Sequence, residues 1–106
     1  LLNAPTFLEV AKVMGAQMAT ETDKEKGILS AFQKLTGRPP LQEELSLLKE
    51  LQRTEYQNFL QNREKMKGWL SVGEYPIDPT LEQELVASYA VVASAIMNAD
   101  ASITKR

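Results

Sequence analysis

The chain has 106 residues, 43% of them apolar and 25% charged, with a net charge of −2, the profile of an ordinary globular domain with one core that needs no staple. It contains neither cysteine nor histidine, which excludes thiolate nucleophiles, disulfides, Cys/His zinc sites, imidazole bases and covalent haem attachment. No Lys/Arg cluster supplies the positive face a nucleic acid needs, and no apolar run reaches the ~20 residues of a membrane span.

The elements follow in chain order. Asn3-Ala4-Pro5 suits a helix entrance, with an Asx cap and a proline in the first turn. Phe7, Val10, Ala11, Met14 and Met18 then recur at helical spacing, predicting a helix to about Ala19. After a polar break, Asp23 or Thr22 can cap a second helix bearing Ile28, Leu29, Phe32 and Leu35. Gly37 suits the left-handed position past its end, and Arg38-Pro39-Pro40 stops it.

The longest helix is expected over about 41–60, with Leu41, Leu45, Leu48, Leu51 or Gln52, Tyr56 and Phe59 turned inward. Gln61-Asn62 can interrupt it and cap a short segment over 63–70 that carries Met66, Trp69 and Leu70. Residues 71–80 hold two prolines and a glycine and read as an ordered loop. Asp78 is the expected cap of the last helix, whose residues Leu81, Leu85, Tyr89, Val92, Ala93, Ile96 and Met97 recur at helical spacing. Its middle is apolar nearly all round, which places it at the centre of the bundle. The tail from Asp100 is expected to fray or to reach a neighbour. The architecture is therefore all-α, an antiparallel bundle of four main helices plus one short helix.

Carboxylates are the only acid/base resource, and Glu74 with Asp78 in one loop is the most suggestive pair. A glycosidase would set two such groups about 5–9 Å apart across a sugar-sized cleft. The preferred reading is structural, with Asp78 as a cap and Glu74 accepting backbone N–H groups or pairing with Arg38. Arg38 itself suits a clamp, bonding the last carbonyls of the second helix or forming a fork with Glu74 or Asp78. Glu43-Glu44 fall in the first turn of the long helix, where the helix dipole favours negative charge.

Trp69 and Tyr75 flank the loop and could offer an aromatic platform to a sugar ring or a partner protein, although packing at the bundle end is favoured. Arg38, Trp69, Glu74, Tyr75 and Asp78 are thus the candidate binding positions. No catalytic, metal-binding or cofactor-binding residue is expected. Met14, Met18, Met66 and Met97 read as gap-fillers rather than haem ligands.

Four motifs occur in order along the chain: Leu1-Leu2-Asn3-Ala4-Pro5-Thr6-Phe7, Leu35-Thr36-Gly37-Arg38-Pro39-Pro40, Val72-Gly73-Glu74-Tyr75-Pro76-Ile77-Asp78-Pro79, and Met97-Asn98-Ala99-Asp100 with Thr104-Lys105-Arg106. In that order the chain resembles the C-terminal planctomycete surface domain of unknown function that closes large cytochrome-c-like proteins. The resemblance implies an exported parent, a periplasmic or cell-surface location, and upstream domains of the same chain as partners. It implies no activity. The chain departs from the family pattern at Ala4, where an acidic cap is usual, at Leu41-Gln42, where Thr-Pro is usual, and at Ala101-Ser102, where an acidic-aromatic pair is usual. The opening Leu1-Leu2 reads as buried surface in a piece of a longer protein.

Two functional expectations follow. The first is a non-catalytic helical interaction or assembly domain. The alternative is a carbohydrate-binding or glycan-processing accessory domain with its site near the 71–80 loop. Nucleic-acid binding and membrane insertion are not expected.

Overall fold

The computed structural model describes residues 4–73 and 75–104, with side chains for 6–73 and 75–100. Expectations resting on Leu1, Leu2, Asn3, Glu74, Lys105 and Arg106, and on the side chains of Ala101 and Ser102, lie outside the described residues. Those residues form five helices and no strand: α1 (Ala4–Ala19), α2 (Lys24–Thr36), α3 (Gln42–Gln61), α4 (Arg63–Leu70) and α5 (Gln83–Thr104). Four long helices and one short one form the antiparallel bundle that the apolar spacing predicts.

Each boundary has a local cause. Asp23 caps α2 by accepting from the Glu25 and Lys26 N–H groups at 3.0 and 3.5 Å. Gly37 ends α2 at φ +81°, a left-handed conformation that costs a glycine little. Leu41 stands at the N-cap of α3 and its side chain cannot accept a hydrogen bond. The Glu44 carboxylate binds the Leu41 N–H instead, at 2.8 Å. Asn62 ends α3 and caps α4, accepting from the Lys65 N–H at 3.1 Å.

α5 packs against all four other helices. Val86, Ala87, Ser88, Tyr89, Ala90, Val92, Ala93 and Ile96 are buried along it. Small side chains let neighbours approach closely, as α1 does. A Cβ placed on Gly15 would lie 2.7 Å from both the Val86 carbonyl oxygen and the Ala90 nitrogen. Around this axis Ala11 and Met18 of α1, Ile28, Ala31 and Phe32 of α2, and Leu45 of α3 close one part of the core. Phe59, Met66 and Ala87 close the other. Met18 and Met66 fill core space, and Met14 and Met97 pack at its margin.

Four expectations are corrected. Leu41 is 64% exposed rather than inward, because it precedes the first turn of α3. Asp78 does not cap α5. Its Oδ1 accepts from the Thr80 N–H and hydroxyl at 2.9 and 2.8 Å, closing a turn that delays α5 until Gln83. Leu81 therefore precedes the helix. The chain past Asp100 continues α5 to Thr104 rather than fraying, and Asp100 is half-buried within electrostatic reach of Arg38.

Candidate functional site

The 71–80 loop crosses α1, and two charged side chains of α1 hold it there. Lys12 is only 3% exposed. Its ammonium donates to the Val72 carbonyl at 2.7 Å and the Leu70 carbonyl at 3.4 Å. These carbonyls stand at and just past the end of α4, where the helix leaves acceptors without intrahelical partners and a cation is favoured. One turn earlier, Glu9 accepts from the Tyr75 N–H at 3.1 Å. Gly73 sits directly on the Glu9 carboxyl, at φ +70°, and any Cβ there would overlap it.

Pinned in this way, the loop becomes one wall of a groove whose floor is α1. At one end Thr6, Glu9, Val10, Val13, Met14 and Tyr75 line it. At the other, Val13, Ala16, Gln17 and Thr20 face Tyr75, Pro76, Ile77, Asp78, Pro79 and Leu81 around a cavity of about 480 Å³. The two ends share Val13 and Tyr75. Tyr75 is 49% exposed, with its backbone held and its ring open to solvent.

The structure separates the sequence-derived candidates. Tyr75 and Asp78 line one groove. Trp69 packs against the core and lines a different recess with Leu8, Lys65, Gly68 and Val72, so the two aromatics form no common platform. Glu74 is outside the described residues. Arg38 pairs with neither Asp78 nor any other described residue of the loop. It makes a two-pronged fork with Glu44 at 3.0 and 2.9 Å, donates to the Pro39 carbonyl at 3.2 Å, and lies 4.9 Å from the Phe32 ring centroid. The fork is thus made with Glu44, not with Asp78 or the last carbonyls of α2 as the sequence suggested. The Arg38 hydrogen bond and the Leu41 N–H hold the Glu44 carboxyl down to about 2. The Thr80 bonds lower Asp78.

Three further polar contacts link α3 and α4 to α5 and the residue just before it. Glu84 is buried and pairs with Arg63 at 2.9 Å. Tyr56 donates to Glu82 at 2.5 Å, which raises its hydroxyl's pKa. Gln52, 2% exposed, donates to the Ser88 hydroxyl at 3.0 Å while its Oε1 has no hydrogen-bond partner. Among the described residues no group of three or more Asp and Glu converges in a way that could hold a metal ion. Among the described residues, no helix is long and apolar enough to cross a membrane.

Sequence reasoning missed Lys12 and Glu9. The signal for Lys12 was present: Leu8, Ala11, Lys12 and Gly15 follow each other at helical steps, so a lysine sits inside a buried stripe. Glu9 carries no such mark, because its role depends on where a distant loop lands. Comparison of the chain with protein-family models, with curated proteins and with solved structures finds no match.

Proposed function

We propose that this chain is a non-catalytic interaction domain whose α1 groove seats another part of a larger assembly. The observation that carries this reading is the apolar trench of Val10, Val13, Ala16, Ile77 and Leu81, with the Tyr75 ring standing open beside it. Exposed aromatics beside apolar recesses are the usual anchors of protein interfaces. A loop held by a buried ammonium and a carboxylate gives such a groove a fixed shape before a partner arrives, which lowers the ordering cost of binding.

The four ordered motifs support a more specific parent: a large exported cytochrome-c-like protein of the planctomycete type, with this domain docked on upstream segments of the same chain. Co-expression of the domain with those segments tests it. Co-elution at micromolar concentration is expected, and separate elution of every segment would contradict it. The carbohydrate alternative is favoured by one observation, Tyr75 and Asp78 on a shared groove. It expects glycan-array binding that disappears in Tyr75→Ala.

A further inference from the structure

The end of the 71–80 loop carries chemistry that partner docking does not use. Asp78 is followed by Pro79, and both are exposed to solvent. An aspartate can attack its own backbone carbonyl, because one carboxylate oxygen, Cγ, Cβ, Cα and the carbonyl carbon close a five-membered ring within a single residue. At an ordinary peptide bond this step fails, since the amide nitrogen is a poor leaving group. Proline supplies a nitrogen alkylated by its own ring, which takes up a proton more readily and departs as a secondary amine.

The fold brings two further residues to this bond. The Leu81 N–H donates to the Asp78 carbonyl at 3.1 Å, so the carbonyl under attack is already polarised by a fixed donor. The Thr80 N–H and hydroxyl donate to Asp78 Oδ1 at 2.9 and 2.8 Å and hold the carboxyl below its usual pKa. Among the described residues only Thr80 engages this carboxylate, and it does so through Oδ1, which leaves Oδ2 as the nucleophile. No neighbouring charge offsets the effect. Around Asp78 the groove presents Val13, Ala16, Gln17 and Thr20 of α1 and Tyr75 and Ile77 of the loop, none of them charged in acid.

We propose that the Asp78-Pro79 bond is an acid-triggered self-cleavage site, assembled by the turn of residues 78–81. Oδ2 adds to the Asp78 carbonyl carbon, forming a C–O bond and moving the negative charge onto the carbonyl oxygen that faces the Leu81 N–H. The C–N bond then breaks, and the Pro79 nitrogen keeps the electron pair and takes a proton from water. The cyclic anhydride left on Asp78 adds one water molecule and opens to two carboxyl groups. The net reaction is hydrolysis of one peptide bond. Acid favours it because the leaving nitrogen needs a proton while the nucleophile must stay ionised, and the Thr80 bonds let both conditions hold at a lower pH than in a free peptide. The cut detaches α5 from the loop, while its buried face still seats it in the core. This site is independent of what the groove binds.

The test incubates the 106-residue chain beside a synthetic peptide of residues 75–82, across the acid range down to the lowest pH at which circular dichroism shows native helix content. Mass spectrometry after denaturation reads fragments 1–78 and 79–106. The folded chain is cut about tenfold faster than the peptide, the effect of one well-placed donor. Asp78→Asn, which retains an oxygen for Thr80, yields no cut, and Pro79→Ala, with the carboxylate intact, is cut about tenfold more slowly. Thr80→Val keeps its N–H but loses the hydroxyl; it slows the cut about threefold and moves the pH optimum up toward that of the peptide, a shift that a merely structural role would not produce. Cutting no faster in the folded chain than in the peptide, cutting that persists in Asp78→Asn, or one pH profile shared by chain, Thr80→Val and peptide would overturn the proposal.

Discussion

The side of α1 that meets α5 and the side that meets the 71–80 loop are built in opposite ways. Against α5 the contact is backbone on backbone, made possible by Gly15 opposite Val86 and Ala90, with Ala11 and Met18 completing a dry seam. Against the loop the contact is polar, an ammonium on two carbonyls and a carboxylate on one N–H, beside a trench left open. Close packing gives cohesion that tolerates no added volume. Charged pins give position to a segment that buries little. The difference places cohesion on one side of α1 and, under the proposed function, recognition on the other.

Overfilling the seam is the most severe way to break this arrangement. Gly15→Val forces side-chain carbon into the α5 backbone, and chemical denaturation should show a loss of about 3 kcal/mol. A loss under about 1 kcal/mol would mean the seam yields. Removing a pin should cost less and act locally. Lys12→Met leaves the Leu70 and Val72 carbonyls without their donor and should cost about 1–2 kcal/mol. Its distinguishing mark is hydrogen exchange, which should accelerate at the Tyr75 amide while the Ala90 amide stays protected.

A third substitution sharpens the contrast by reversing sign. Gln52→Met removes the buried Oε1 that has no partner, while Ser88 keeps its 2.7 Å bond to the Leu85 carbonyl. Thermal denaturation should show a gain of about 1 kcal/mol.

The smallest effect belongs to the elbow between α2 and α3. Glu44 is held to about 2 against an ordinary 4.5. A carboxyl depressed on folding stabilises fully above its unfolded pKa, and that contribution fades as pH falls through 4.5 toward 2. Wild type should therefore exceed Glu44→Gln in denaturation midpoint at pH 7, and the two should converge near pH 2. A gap that persists there would assign the difference to packing rather than charge.

Much of the bundle was legible in the chain because helical spacing reports burial directly. The runs containing Ile28 and Phe32, Leu45 and Phe59, and Tyr89, Val92 and Ile96 each named the face that became core. Local caps were legible where the acceptor and the helix start are neighbours, as at Asp23 and Asn62. Asp78 misled because an aspartate before proline satisfies a tight turn as readily as a helix start. Arg38 was legible as a clamp, yet its partner was misjudged. Glu44 lies one turn into the next helix, and the Pro39-Pro40 elbow swings it back onto the guanidinium. Of the groove, Tyr75 and Asp78 could be named in advance. The floor of α1 could not, since Val10 read as ordinary core and Val13 lay off the apolar stripe, and only the loop's landing place made both of them lining, half-buried residues.

Hydrogen–deuterium exchange of the domain alone and with the upstream segments of the proposed parent tests the division of α1 most directly. Partner binding should slow exchange at α1 residues 10–17 and loop residues 75–81 while leaving α3 around Leu47 unchanged. Protection centred on α3, with the α1 groove exchanging as freely as before, would contradict it.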